Sequence, residues 1–165
     1  MKRNLQINSV KVEESAYKGL VRPILEYSSS VWDPYHKKYI EQLEMVQRRA
    51  ARYALGRYHN TSSVTDMLKE LQWETLEERR RKARLTMFYK ILLCIVAIPL
   101  PVVVVQKPRP RPGYPHQFMI PYCRTEAYKN SFFPNTISHW NKLPPSTASQ
   151  TSLSLFQADL KKLSF

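Results

Sequence analysis

Two groups of closely spaced basic residues are the most informative feature of this 165-residue sequence. The first group lies within a stretch of helical periodicity at 48–52, and the second, at 79–84, is almost wholly basic. Spacings of one, three and four residues bring such charges to adjoining helix faces, where they could follow a line of phosphates. The candidate nucleic-acid-binding residues are therefore Arg48, Arg49, Arg52, Arg79, Arg80, Arg81, Lys82 and Arg84. The competing interpretation is a solvated face whose arginines pair with Glu44, Glu77 and Glu78.

The net charge of +13 is unevenly distributed along the chain. Residues 1–78 carry twelve Lys/Arg and eleven Asp/Glu, which leaves +1, whereas residues 79–165 carry fourteen and two, which leaves +12. Because counterion release favours each neutralised phosphate, the asymmetry predicts a polyanionic partner, nucleic acid before anionic lipid. Four aromatic residues could stack on bases, although such side chains more often anchor a small core. They are Trp32, Tyr35, Trp73 and Trp140.

The usual catalytic patterns are missing from the sequence. Two-metal nucleotidyl transfer needs neighbouring carboxylates, whereas Asp33, Asp66 and Asp159 are far apart along the chain. The two cysteines and four histidines contain no pair at zinc-ligand spacing, so each is interpreted as a packing or surface residue. The three glycines form no phosphate-binding loop. We therefore expect no catalytic residue, metal, cofactor or small-molecule substrate, and predict that this chain by itself is not an enzyme.

The expected location is intracellular. Two cysteines do not make a disulfide-rich secreted scaffold, and the first residues lack the apolar core of a signal peptide. The sequence does not choose between the nucleus and the cytoplasm.

The basic residues are predicted to lie on helices. Apolar residues follow helical spacing over 12–31, with an interruption at Pro23, which lacks a backbone donor. A clearer helix is predicted over 36–55, with Gly56 at its C-cap. Two N-caps, the first at Ser62 or Ser63 and the second at Thr75, then predict two further helices. The predicted buried face of the last one consists of Leu76, Ala83, Met87 and Ile91, widened by Leu85, Phe88 and Leu92.

These elements predict an all-α fold class, a small helical bundle followed by a proline-rich linker and short C-terminal helices. The predicted organisation is a tail over 1–10, the bundle over 11–93, an apolar and proline-rich linker over 94–127, and a helical segment over 128–165. Short helices are predicted at 136–141 and at 152–163, the latter with Leu155, Phe156, Leu160 and Leu163 on one side. The apolar run 91–105 leaves membrane association as a weaker alternative, since two prolines interrupt it.

Four blocks of the sequence match a pattern that occurs in one known family. They are LVRPILEYSSSVWDP at 20–34, LEMVQRRAAR at 43–52, LQWETLEERR at 71–80 and YKNSFFPNTISHWNKLP at 128–144. In this order they resemble the region downstream of the polymerase palm in reverse transcriptases of non-LTR retrotransposons, most of all jockey-like LINE elements. The resemblance implies an RNA-directed DNA polymerase whose thumb, a helical subdomain, grips the template–primer duplex through its backbone.

The departures from that family shape the expected function. The Tyr-x-Asp-Asp motif, the palm and the Mg²⁺ that the palm would bind have no counterpart here, and 97–112 is unlike the usual connection. The resemblance therefore implies a truncated, element-derived reading frame that retains at most a non-specific nucleic-acid-binding thumb region. The alternatives are a vestigial helical fragment without activity and a protein-interaction module.

Overall fold

The computed structural model describes residues 9–59, 61–98, 104–108, 112, 114 and 116–163. In chain order its helices are α1 (Val10–Ala16), α2 (Arg22–Glu26), α3 (Ser29–Trp32), α4 (Lys37–Leu55), α5 (Val64–Glu70), α6 (Leu76–Leu92), α7 (Glu126–Lys129), α8 (Phe132–Trp140), α9 (Pro145–Ala148) and α10 (Leu153–Lys162). These residues form no strand, only one antiparallel bridge between Gln106 and Phe118, so the predicted all-α class is confirmed. Most of the predicted tail and parts of the predicted linker, including 99–103 of the apolar run, lie outside the described residues.

The chain divides into two compact units, Met1–Arg80 and Arg81–Phe165. The division falls within α6, so the bundle predicted over 11–93 takes in the helices of the first unit and the beginning of the second. Fourteen Lys/Arg against eleven Asp/Glu leave the first unit at +3, and twelve against two leave the second at +10. Most of the excess charge therefore belongs to the second unit.

The predicted interruption at Pro23 takes the form of a π-helical turn, Tyr17–Val21, between α1 and α2. A proline ring lacks an N–H and crowds the carbonyl four residues back, here that of Gly19. The Arg22 N–H bonds to the Tyr17 carbonyl, five residues back, so the helix widens immediately before the proline. Four apolar side chains of this turn, α2 and α3 are 65% to 86% exposed: Leu20, Ile24, Tyr27 and Val31.

The core of the first unit lies where the π-helical turn, α4 and α5 meet. Its buried members are Tyr17, Ala51, Ala54, Met67, Leu71 and Trp73. The rings of Tyr17 and Trp73 stack with centroids 4.5 Å apart. The Tyr17 hydroxyl donates to Oε1 of Gln47 over 3.0 Å, and Nε2 of Gln47 donates to the Glu74 carbonyl over 2.8 Å. The buried polar groups of this core are therefore bonded to one another, which keeps the cost of their burial low.

The helix ends of the first unit are capped as the sequence predicts. Gly56 adopts the left-handed conformation, with φ of 63°, and its N–H bonds to the Tyr53 carbonyl at the end of α4. Oγ of Ser63 accepts from the Asp66 N–H over 3.3 Å, and Oγ1 of Thr75 accepts from the Glu78 N–H over 3.1 Å. These caps set the positions at which α4 ends and α5 and α6 begin.

Aromatic rings dominate the core of the second unit. Tyr89 stacks on Phe156 with ring centroids 4.2 Å apart, and Phe88 meets Trp140 edge to face at 5.2 Å. The buried members are Leu85, Phe88, Tyr89, Ile137, Trp140, Leu143, Phe156 and Leu160. On α10 the predicted apolar side holds for Phe156 and Leu160, whereas Leu155 is exposed.

The buried face predicted for α6 needs a correction. Leu76, Leu85, Phe88 and Ile91 are buried, but Ala83 is exposed and Met87 is half-buried. The buried line of this helix also contains two arginines, Arg80 and Arg84, at four-residue spacing from Leu76 and Phe88. A pattern that counts arginine as a surface residue therefore rotates the predicted face away from the observed one.

Among the described residues, no helix is both long and apolar enough to cross a membrane.

Candidate nucleic-acid interface

One line of solvent-accessible side chains runs almost the full length of α4. Its members, separated by four, three, four and three residues, are Lys38, Gln42, Met45, Arg49 and Arg52; the first four are exposed and Arg52 is half-buried. These steps return to nearly the same helix angle, so the five side chains form a single stripe, which we call the α4 stripe. At 1.5 Å per residue it is about 21 Å long. It contains no acidic residue.

The cations of the α4 stripe are not neutralised by the first unit. Within the described part of the chain, Lys38, Arg49 and Arg52 form no ion pair, and Nε of Arg52 has no hydrogen-bond partner. Glu41, three residues after Lys38 and four before Met45, borders the stripe, and its Oε1 is 3.9 Å from Nζ of Lys37. The stripe therefore carries three cations without an ion pair among the described residues, with one carboxylate at its edge.

Arg48, which the sequence groups with Arg49 and Arg52, is exposed on α4 four residues before Arg52, at the edge of the α4 stripe. It lines an open groove of about 660 Å³ together with Lys37, Glu41, Glu44 and other residues of the first unit. Two carboxylates in this groove weaken its attraction for a phosphate backbone. In the first group, Arg49 and Arg52 thus belong to the α4 stripe, whereas Arg48 lines the groove.

Arg79 is held by Glu26 in a two-pronged ion pair. Its Nη2 donates to Oε2 of Glu26 over 3.0 Å, and its Nε donates to Oε1. Hydrogen bonding to Glu26 is the main reason why the pKa of Arg79 lies above its usual range. The guanidinium is thus fixed to α2 and acts as a structural group of the first unit.

Arg80 is buried with Asp33. Its Nε donates to Oδ1 of Asp33 over 2.7 Å, and the Arg80 side chain is only 1% exposed. A phosphate backbone cannot reach a side chain that is so fully covered. The structure therefore removes Arg80 from the candidates for nucleic-acid contact.

The remaining basic candidates, Arg81, Lys82 and Arg84, belong to the second unit. Arg81 and Lys82 are half-buried, Arg84 is 6% exposed, and Nζ of Lys82 lies 3.5 Å from the carbonyl of Lys161. The eight candidates thus lie in different environments. Two of them, Arg49 and Arg52, belong to the α4 stripe, which is accessible to solvent along the helix.

His139 is a residue of interest that the sequence analysis interprets only as a packing or surface group. Its Nδ1 lies 2.8 Å from the Asn135 carbonyl, one turn earlier on α8. Burial lowers the pKa of His139, and the positive charges of Arg84, Arg81 and Lys142 lower it further against the raising effect of the Asn135 carbonyl. Nothing in the local sequence indicates this setting, because two of the three cations are on α6.

The four aromatic candidates separate into core and surface residues. Trp73 and Trp140 are buried, as expected for core anchors, whereas Trp32 and Tyr35 are exposed. Tyr35 lies against His36, with ring centroids 4.1 Å apart, at the beginning of α4. The rings of Tyr35 and His36 precede Lys38 by three and two residues, so in sequence they border the N-terminal end of the α4 stripe.

The described residues include no group of three or more His, Cys, Asp or Glu that could hold a metal ion. Comparison of the chain with models of protein families, with curated proteins and with solved structures finds no match.

Proposed function

We propose that this protein binds nucleic-acid duplexes through their backbone, without sequence preference, and that the α4 stripe is its principal contact. The observation that carries the proposal is the row of Lys38, Arg49 and Arg52, open to solvent along one line of α4 and free of ion pairs within the described residues. The proposed activity is the kind that the thumb of non-LTR retrotransposon reverse transcriptases supplies, which is the region that four blocks of this sequence resemble.

The dimensions of the stripe suit a duplex backbone. A base pair adds 3.4 Å per strand, so a stripe of about 21 Å runs beside about six phosphates of one strand. Three cations that each neutralise a phosphate give a slope of about −2.7 in a plot of log affinity against log salt. The second unit, at +10, adds attraction that does not depend on the stripe.

The test is duplex binding by the full chain as a function of salt, at pH 7.5. The triple variant Lys38→Gln, Arg49→Gln, Arg52→Gln is expected to reduce the magnitude of the slope by about 2.7, because three phosphate contacts are lost. The matched control, Lys11→Gln, Arg57→Gln, Lys69→Gln, removes three positive charges from the same unit outside the stripe. Equal slopes for the two variants would show that only net charge matters, and would refute the proposed site.

A protein-interaction module is the second candidate, and one observation favours it. Leu20, Ile24, Tyr27 and Val31 are exposed apolar side chains close together along the chain, and contiguous exposed apolar patches are typical of contact surfaces. If these residues mediate association, the elution volume in size-exclusion chromatography falls as protein concentration rises. Replacing Ile24 and Val31 by Gln would then abolish the dependence of elution volume on concentration. A constant monomer volume for the unmodified chain over a hundredfold concentration range counts against self-association through these residues.

A further inference from the structure

Three aromatic rings lie against one another on the surface at the beginning of α4. The ring centroids of Tyr35 and His36 are 4.1 Å apart, and those of His36 and Tyr39 are 6.1 Å apart, with the latter pair edge to face. All three residues are exposed, Tyr35 by 43% and Tyr39 by 51%. We call these three residues the ring cluster. The whole cluster belongs to the first unit, as does the α4 stripe.

The backbone holds the ring cluster in a defined position. His36 is the N-cap of α4, and its carbonyl accepts from the N–H of Tyr39 over 3.0 Å and from that of Ile40 over 3.2 Å. Pro34, whose ring fixes its φ, immediately precedes Tyr35. Because a helix end presents these rings, a ligand that binds them has little chain to order, and this lowers the cost of binding.

The first unit makes no structural use of the outer surface of the ring cluster. None of the three rings belongs to the core of this unit, which lies around Tyr17 and Trp73. Among the described residues, the hydroxyls of Tyr35 and Tyr39 make no hydrogen bond. Exposed rings in contact with one another, without a partner inside the unit, form a flat aromatic surface on which a further ring can stack.

The ring cluster adjoins the N-terminal end of the α4 stripe. Lys38, the first cation of the stripe, lies between His36 and Tyr39 in sequence and has no ion pair among the described residues. At 3.6 residues per turn, Tyr39 is rotated about 100° from Lys38 to one side of the helix, and Glu41 about 60° to the other. The carboxylate at the edge of the stripe is therefore on the side away from Tyr39, so it does not separate the cation from the rings.

We propose that the ring cluster stacks on unpaired bases, so that the preferred ligand of the first unit is a duplex that continues into a single-stranded extension. The inference rests on the proposed function, because the α4 stripe contacts the duplex backbone as far as Lys38 and the rings contact the strand beyond it. Any base can stack on an exposed aromatic ring, whereas the bases inside a duplex are covered by their neighbours. The polar tips of Tyr and His, together with the charge of Lys38, suit a nucleic-acid strand better than an apolar protein surface.

The test compares two ligands that share the same duplex. One ends in a short thymidine extension, and the other ends in an abasic extension of equal length, which has the same phosphates but no bases. At pH 7.5 and constant salt, the full chain is expected to bind the thymidine extension about tenfold more tightly. The double variant Tyr35→Ala, Tyr39→Ala should bind both extensions equally, whereas Tyr35→Phe, Tyr39→Phe keeps the rings and should keep the preference. The matched control, Tyr122→Ala, removes an exposed ring of the second unit and should also keep it.

Two results would overturn the proposal. The first is equal affinity of the unmodified chain for the thymidine and abasic extensions. The second is a preference that survives in Tyr35→Ala, Tyr39→Ala; if that variant also changes the elution volume in size-exclusion chromatography, the rings are a protein contact instead. The ratio of the two affinities cancels the contribution of the phosphates, whereas the salt slope on a blunt duplex tests the α4 stripe. Failure of one proposal is therefore distinguishable from failure of the other.

Discussion

The Nε atom of Arg80, at the beginning of α6, donates to Oδ1 of Asp33, immediately after α3, over 2.7 Å; the two side chains are 1% and 13% exposed. Removing two charges from water costs several kcal/mol each, and their attraction offsets that cost only while both partners are present. Loss of one partner is therefore expected to lower the free energy of unfolding of the first unit far more than loss of both.

Asp33→Ala is expected to lower the free energy of unfolding by about 3–5 kcal/mol, because the Arg80 charge stays buried without its partner. Urea denaturation measures the change. The matched control is Glu70→Ala, which breaks the ion pair with Arg57; both partners are about half exposed, so the cost is at most about 1 kcal/mol. In the double variant Asp33→Ala, Arg80→Met most of the stability should return. A double variant as unstable as Asp33→Ala would contradict this interpretation of the pair.

Glu44 supplies a cap to α6 from a distant position in the chain. Its Oε1 accepts from the Glu77 N–H over 2.8 Å, so it bonds one of the free donors in the first turn of α6. Glu44→Ala should cost about 1 kcal/mol of unfolding free energy, whereas Glu44→Gln keeps an acceptor oxygen and should cost less. Glu41→Ala, at an exposed position on the same helix, is the control. Equal losses for the Ala and Gln variants would argue against capping.

Tyr17 makes the first unit sensitive to alkali. Burial raises the pKa of Tyr17 above that of a free phenol, so between pH 10 and this higher value the unfolded chain has lost a proton that the folded chain keeps. The contribution of Tyr17 to the free energy of unfolding is therefore fully present below pH 10 and is lost as the pH rises beyond it. Tyr17→Phe should remove this part of the alkaline loss, at a cost of about 1 kcal/mol near neutrality for the lost bond to Gln47. Denaturation curves at pH 8 and 11 give both quantities.

His139 makes the second unit sensitive to acid. Burial, joined by nearby cations, lowers the pKa of His139 below its ordinary value of 6.5, so the unfolded chain takes up its proton first as the pH falls. The stabilisation is complete above pH 6.5 and is lost as the pH falls through the lower, folded-state pKa. His139→Gln should therefore unfold with a weaker dependence on pH between 7 and 5. Urea denaturation at several pH values measures the change, and a dependence identical to that of the unmodified chain would contradict the assignment to His139.

Individual arginines should differ in their effect on duplex binding. Arg49→Gln is expected to reduce the salt-dependence slope by about 0.9, the value for one phosphate contact. Arg79→Gln is expected to leave the slope almost unchanged, since that guanidinium is fixed to Glu26, but to lower stability. Fluorescence anisotropy with a labelled duplex at four salt concentrations measures the slopes. Slopes that fall equally in the two variants would indicate a response to net charge alone.

The helices and their caps could be predicted because their signals are local. Gly56, Ser63 and Thr75 act within one turn of the helix ends that they cap, so neighbouring residues contain the required information. The widening before Pro23 is also local in cause, although the pattern predicts only an interruption. Local signals therefore locate the helices well, but they orient the helix faces only approximately.

The roles of the charged residues could not be predicted in the same way. Asp33 and Arg80 are 47 residues apart, and Glu44 and Glu77 are 33 apart, so no local pattern distinguishes these side chains from solvated ones. Burial of Arg80 and Arg84 along α6 also explains why the sequence pattern assigns Ala83 to the wrong face. The basic groups are visible in the sequence, but tertiary partners determine which of their charges remain accessible.

The buried indoles give each unit its own optical reporter. Trp73 stacks on Tyr17 in the first unit, and Trp140 lies among the rings of Phe88 and Phe156 in the second. Trp32, the third indole, is partly exposed and can be replaced by Phe to remove its background emission. Intrinsic fluorescence of two further variants, each retaining one buried indole, would then follow the melting of each unit separately, without any attached dye.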